Sequence, residues 1–451
     1  MSLRETPLAN RFTIGIFGRR NSGKSSLINA ITGQNIALTS EIAGTTTDPV
    51  FKTMEMLPLG PILLIDTAGL DDEGYLGVKR VEKSYEALRK CDMVIFVCDA
   101  TQGENCFRHQ EKAFLSQLRE RHIVCLIALN KCGNLPEVVQ QIHGATSLRG
   151  LAQELDLNNS IPDESFAKHF EKRKRNLEKA TEIRHLASKI GRQANVPVIC
   201  TDASYHIGID ALKEAIIQNA KHEEEEVGLT DGLVNSKQIV ILVTPIDRSA
   251  PKGRLILPQQ QVIRDILDKD GIAFITKETE LEQTLSSLAC PPDIVITDSQ
   301  VFHFVNRIVP KEIPLTSFSI LFARQKGDLK RQVQNLQVLA HLKPHDRILI
   351  AEGCTHHRQS DDIGTVKIPA MIRKIEPTIS FDWKSGAVFP PDVSSYKLII
   401  HCGACMLNRR EMMFRVSQAE KQGVPVVNYG LVIAYCNNIL DRVIAPFGLT
   451  V

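Results

Sequence analysis

Short apolar runs bounded by turn residues recur along the chain, and between them lie longer stretches whose apolar positions fall at helical spacing. The runs at 12–17, 62–66, 239–243, 294–297, 347–351 and 397–400 are almost continuously apolar, the pattern of strands buried on both faces. From 237 onward the order is regular: a strand within 237–247, a helix over 258–271, a strand at 271–276, a helix over 278–288 and a strand at 292–300. A helix over 329–342 and the strand-to-helix segment 425–440 continue the alternation, which predicts parallel sheets with helical crossovers. The expected fold is therefore α/β, in three domains with mainly parallel sheets. Residues 1–222 form the first domain and contain a long insert at 134–195, much of it at helical spacing. The acidic run Glu223 to Glu226 and the glycines after it make a poor core, so 223–236 reads as a linker. Residues 237–327 and 328–451 complete the division, the middle domain carrying no ligand cluster and reading as a dimerisation surface.

Composition narrows this picture only a little. At about 150 residues per domain, 451 residues suit three cores. The net charge of +2 sets up no global field for nucleic acid or an anionic membrane, which makes a nucleic-acid partner unexpected. No apolar run reaches membrane-spanning length and the first residues lack a secretory apolar region, so neither a membrane nor export is expected. Eleven cysteines without a small-domain disulfide rhythm point to a reducing, cytoplasmic setting in which clustered thiols bind metal.

Local chemistry first appears at Gly18 to Ser25, where G-x4-G-K-S follows a strand and opens a helix. Backbone N–H groups at a helix N-terminus cradle phosphates there, with Ser22, Gly23 and Ser26 completing the loop. Lys24 is expected to reach the β and γ phosphates and Ser25 to hold Mg²⁺. Asp66 ends a later strand and is expected to hold Mg²⁺ through water, while the Gly69 N–H meets the γ-phosphate. Thr45 and Thr46 lie between these motifs in a threonine segment able to close on the metal. In these motifs the chain resembles P-loop GTPases, and that resemblance implies two further loops that meet the base, one with Asn130 and Lys131, the other with Asp202 and Ala203. Gly133 stands where N-K-x-D would place aspartate, so guanine selectivity is expected to be weakened. Leu70 stands where Ras-like enzymes carry the water-orienting glutamine, and slow turnover is expected.

The second chemical centre lies at two strand ends near the carboxyl terminus. Cys354 and His356 follow one strand; His401, Cys402 and Cys405 follow another, the last two in C-x2-C spacing. Ligands on such loops would converge at the carboxyl edge of an open sheet. Three thiolates and two imidazoles leave open a tetrahedral zinc site, a 4Fe-4S cubane with one iron for a histidine, water or guest ligand, and unligated core thiols.

The three N-terminal motifs resemble the translation-factor-like GTPases, above all the potassium-activated group of tRNA-modifying and ribosome-assembly enzymes. That resemblance implies GTP as substrate, Thr46 as a switch Mg²⁺ ligand and Asn21 as a K⁺ ligand. With the middle segment VTPIDRSAPKGRLILPQ (244–259 is its core) and the C-terminal C-x-H…H-C-x2-C, almost the whole chain resembles the hydrogenase-maturation GTPases of the HydF family. It implies a 4Fe-4S cluster on Cys354, Cys402 and Cys405, with His356 and His401 as candidate ligands of that cluster or of a guest. It further implies a scaffold that receives a transient di-iron subcluster from two radical-SAM maturases and delivers it to the apo-[FeFe]-hydrogenase. The alternative is an RNA-modifying or ribosome-assembly GTPase with an appended zinc module.

Overall fold

The computed structural model describes residues 6–33, 50–71, 83–135, 164–220, 227–246, 255–353, 362–386 and 389–450. Thr45, Thr46, Cys354 and His356 lie outside them. The chain divides into two compact units, essentially Asn10–Glu224 and Glu225–Val451.

The first unit is built on a six-stranded sheet of order β2-β3-β1-β4-β5-β6. Its strands are β1 (Phe12–Gly18), β2 (Val50–Met56), β3 (Gly60–Asp66), β4 (Met93–Asp99), β5 (Val124–Asn130) and β6 (Val198–Cys200). All pairs are parallel except the edge pair β2–β3. The interior strands are buried along nearly their full length, whereas β2 alternates with exposed positions, as an edge strand does. Helix α1 (Lys24–Thr32) packs Leu27, Ile28 and Ile31 onto this sheet, and α2 (His109–Glu120) buries Phe114, Leu115 and Leu118. The long helix α3 (Glu164–Ala194) buries Leu177, Ala180, Ala187, Ile190 and Ala194 and feeds straight into β6. The last part of the expected insert is thus the crossover between two paired parallel strands. Lys172, Lys174 and Arg175 on the same helix are exposed. Helix α4 (Ile209–Ala220) closes the unit, with Ile209, Leu212 and Ile216 in its core.

The second unit contains two four-stranded parallel sheets. One has the order β10-β9-β7-β8, from β7 (Ile239–Val243), β8 (Ile272–Thr276), β9 (Ile294–Thr297) and β10 (Leu315–Ser317). The other has the order β12-β11-β13-β14, from β11 (Arg347–Glu352), β12 (Ser380–Ser385), β13 (Leu398–His401) and β14 (Val426–Asn428). One apolar cluster runs through both, from Ile241 and Val295 to Ile348, Ile400 and Val427. Helix α5 (Leu257–Asp268) covers the first sheet through Val262 and Ile266. Helix α6 (Phe318–Lys326), capped by Ser317, runs from the first sheet toward the second, and Ser319 donates to Asn428 at the end of β14 at 2.8 Å. The edge strand β8 leaves Ile272, Phe274 and Ile275 exposed. Among the described residues no helix is long and apolar enough to cross a membrane.

Candidate functional site

In the first unit, β1 delivers the P-loop and α1 starts at Lys24 after Gly23, whose φ of 94° lies in the left-handed region that glycine adopts freely. A side chain at Gly18 would meet the Val97 carbonyl at 2.4 Å, which explains the glycine at the end of β1. Lys24 is buried and its ammonium curls back onto the carbonyls of Gly18 and Arg19 at 3.3 and 2.8 Å. Ser25 Oγ donates to Asp66 Oδ2 at 2.5 Å, so the two expected Mg²⁺ groups face each other across 41 residues of sequence. Burial pushes the Asp66 carboxyl up against the opposing pull of Ser25 and Lys24, and its Oδ1 is buried without a hydrogen-bond partner. Gly69 runs close to the P-loop, where an added Cβ would lie 2.7 Å from the Arg20 nitrogen. Arg19 grips the buried Glu111 of α2 through two bonds of 2.7 and 2.9 Å, tying the loop to the sheet's flank.

The base-reading loops are knitted together. Asn130 donates to the Ser22 carbonyl at 3.1 Å and accepts from the Ala203 N–H at 3.1 Å. Lys131, at φ 63°, reaches the Asn21 carbonyl at 2.5 Å and Asp99 at 2.6 Å. Gly133 donates its N–H to Asp202 Oδ2 at 2.7 Å. Apart from Ser26, the described P-loop, Asp66 and base-loop residues thus lie together at the carboxyl ends of β1, β3, β5 and β6. Ser26 is exposed on the first turn of α1. Asp99, the partner of Lys131, was not singled out by the sequence, and its place at the end of the apolar run 93–98 was the available signal.

In the second unit, β11 and β13 are paired in register Ala351 to His401, so their carboxyl ends adjoin. Gly353, the residue before Cys354, donates its N–H to Cys402 Sγ at 3.1 Å. Burial pushes the Cys402 thiol up to about 11, opposed by N–H donation from Gly353 and Ala404. Cys405 lies on the same turn and is also raised by burial, with the Lys326 charge working against it. Lys326, the last residue of α6, is buried and donates to the carbonyls of Ala404 at 2.9 Å and of Leu407. Its ammonium also stands over the Phe322 ring at 5.4 Å. The C-x2-C turn is thus held by a cation from the end of helix α6.

His401 is fully enclosed, and both ring nitrogens have protein neighbours. Nδ1 lies 2.9 Å from the Cys402 carbonyl and Nε2 lies 3.3 Å from an Arg415 nitrogen. Because guanidinium can only donate, this pairing selects the tautomer protonated on Nδ1. Burial and the Arg415 charge hold the imidazole down to about 4. Arg415, on α7 (Arg409–Lys421), also pairs with buried Glu411 at 3.2 Å and donates to the Gly386 carbonyl at 2.9 Å. Sequence reasoning missed Lys326 and Arg415, since neither stands in a motif. Among the described residues no set of three metal-ligating side chains converges.

Residues 13–131 match a family described as 50S ribosome-binding GTPase. Curated relatives include GTPase Der of Kosmotoga olearia, 27% identical over 254 residues that cover 55% of this chain and 47% of that protein. The tRNA modification GTPase MnmE of Endomicrobium trichonymphae is 36% identical over 118 residues, covering 26% of this chain and 25% of that protein. The chain thus spans about half or less of the length of these relatives. The second unit is matched by two descriptions of one other family: residues 229–327 by the hydrogen maturase F dimerization domain and 332–446 by its tetramerization domain. A GTPase domain followed by both of these domains, in this order, does not favour an RNA-modifying or ribosome-assembly role, and the chain belongs to the hydrogen maturase F family.

Proposed function

We propose that this chain is a GTP-hydrolysing scaffold of hydrogenase maturation that holds a 4Fe-4S cluster on Cys354, Cys402 and Cys405. The carrying observation is the Gly353 N–H on Cys402 Sγ, which brings the chain just before Cys354 against the C-x2-C turn. The thiol donor set suits an iron-sulfur cluster, and three thiolates on a cubane leave one iron open for a guest group. This chain's part is to hold the thiols where N–H donors and the Lys326 charge work against the burial that otherwise keeps them protonated. With its ring nitrogens turned to Cys402 and Arg415, His401 acts in this reading as a support for the turn, and His356 remains the histidine candidate for ligation.

In the first unit, Ser25 and the orphaned Asp66 oxygen suit Mg²⁺, a hard cation that takes oxygen ligands. Lys24, now on the loop carbonyls of Gly18 and Arg19, would turn to the phosphates, Thr46 would join the Mg²⁺ ligands, and Asn21 would hold a K⁺ that supplies positive charge for an otherwise slow hydrolysis. The scaffold accepts a di-iron precursor from two radical-SAM maturases and passes it to the apo-[FeFe]-hydrogenase in the cytoplasm. It works as a homodimer, for which the exposed Ile272, Phe274 and Ile275 of edge strand β8 offer a self-complementary seam. Anaerobic reconstitution tests the reading. It should yield about four iron per chain and a reduced-cluster EPR signal, lost on Cys354→Ala, Cys402→Ala or Cys405→Ala. Stoichiometric zinc with no iron uptake would overturn it.

A further inference from the structure

Two departures from the usual base-reading loops meet at one point in the fold. Gly133 removes the carboxylate expected after Asn130 and Lys131, and Asp202 adds one where serine is usual, in the loop after β6. The two positions are 69 residues apart, yet the Gly133 N–H donates to Asp202 Oδ2 at 2.7 Å. The loops are held in this register by further bonds. Cys132 donates its N–H to the Thr201 carbonyl at 3.2 Å, Thr201 returns one to Leu129 at 2.8 Å, and Ala203 donates to Asn130 Oδ1 at 3.1 Å. Gly208 locks the far side, because a side chain there would meet the Cys200 carbonyl at 2.0 Å. We propose that the Asp202 carboxylate reads guanine in place of the aspartate that Gly133 lacks.

The chemistry requires an acceptor at this place. Guanine presents its N1–H and exocyclic amino group there, both donors, whereas adenine presents a bare N1 that a carboxylate repels. Asp202 is 5% exposed, so its charge acts in a site largely shielded from water. Its acceptor capacity is partly used: Oδ1 takes the N–H groups of Ser204 and Tyr205 at 3.0 and 3.2 Å, and Oδ2 takes Gly133. With about two acceptor sites per carboxylate oxygen, Oδ2 keeps one for the base. One charged acceptor gives selectivity, though less than an aspartate engaging both guanine donors.

This inference rests on the guanine-nucleotide reading above, and titration calorimetry of the full chain with GDP, ADP and XDP separates the two. The wild type should prefer GDP. Asp202→Asn should weaken GDP by about ten- to hundredfold, the range spanned by a hydrogen bond to a charged group, and should strengthen XDP, whose C2 carbonyl accepts from an amide. Gly133→Asp combined with Asp202→Ser moves the carboxylate back to the other loop. An added Cβ at Gly133 meets only Leu135, at 3.9 Å; its φ of 82° strains any side chain there, and aspartate is among the residues that bear a positive φ best. The double variant should recover the GDP preference that Asp202→Ser alone loses. A GDP preference retained by Asp202→Asn and Asp202→Ser would overturn this inference and leave the GTPase reading intact. Failure of the double variant to recover selectivity would also overturn it, as a loop-holding role alone predicts. A wild type with no preference for GDP over ADP would end both.

Discussion

Replacing Lys326 with methionine probes the junction on which the cysteine turn rests. The ammonium is buried at the end of α6 and donates to the carbonyls of Ala404 and Leu407, one on either side of Cys405. Methionine keeps most of the apolar stem and its packing on Phe322, so the perturbation is confined to the charge and its bonds. The Ala404 carbonyl still takes the Leu407 N–H at 3.0 Å, so one buried acceptor, the Leu407 carbonyl, is left without this donor, a loss of about 1–3 kcal/mol. Against a domain stability of about 5–15 kcal/mol this is large enough to read directly. Trp383, the chain's one tryptophan, lies on β12 with its Nε1–H on the Gly364 carbonyl, so its fluorescence in urea follows the second unit alone. Lys330→Met, four residues on and exposed, is the control and should stay within about 0.5 kcal/mol of the wild type. Lys326→Met should also lower iron retention, because burial already raises the Cys405 thiol and the lysine charge is what opposes it. If the two variants unfold at the same urea concentration, the ammonium does not hold the turn and the argument fails.

The other predictions concern the remaining surfaces. Lys24→Ala and Ser25→Ala should each abolish measurable GTP hydrolysis in a phosphate-release assay, because phosphate cradling and Mg²⁺ placement carry nearly all of phosphoryl transfer. Exchanging Na⁺ for K⁺ should raise the wild-type rate, and Asn21→Ala should erase the difference; equal rates in both salts would exclude a potassium site. Ile275→Lys puts a charge on the exposed edge strand β8 and should shift the chain toward monomer in analytical ultracentrifugation, with nucleotide binding unchanged. Arg415→Met leaves Glu411 as a buried charge without its cation, and a loss of about 3–5 kcal/mol is expected in the same tryptophan-detected unfolding.

What the sequence disclosed was what lies close together along it. The P-loop needs a strand, a glycine-rich turn and a helix in immediate succession, and all three are local patterns. The same holds for C-x2-C and for the strands β7, β8, β9, β11 and β13, whose apolar runs are bounded by turn residues. Strands β10 and β12 were not legible for opposite reasons. Leu315–Ser317 is too short to show a period, and Ser380–Ser385 mixes charged, aromatic and polar residues on an edge. The segment 134–195 reads as a long helical insert, and its many charges hide which face of the helix packs. Its apolar positions at 177, 180, 187, 190 and 194 share one helical stripe, and this is the face that packs before β6. Glu411 and Arg415 are spaced as an ordinary surface pair, and only the fold shows them buried beneath His401.

The base-reading loops show the limit most clearly. Read along the chain, Gly133 is a lost acceptor that argues for weaker base recognition, and Asp202 is an oddity 69 residues away in a loop expected to meet the base. In the folded unit β5 and β6 are neighbours, with Leu129 in register with Cys200, so the two loops leave adjacent strands and the two oddities occupy one place. A carboxylate has been subtracted from one loop and added to the other, and the charge count at the base is unchanged. Motif patterns test positions one at a time, whereas a base is read by atoms in space. A substitution in one motif is therefore evidence of lost recognition only after the neighbouring strand's loop has been searched for its replacement.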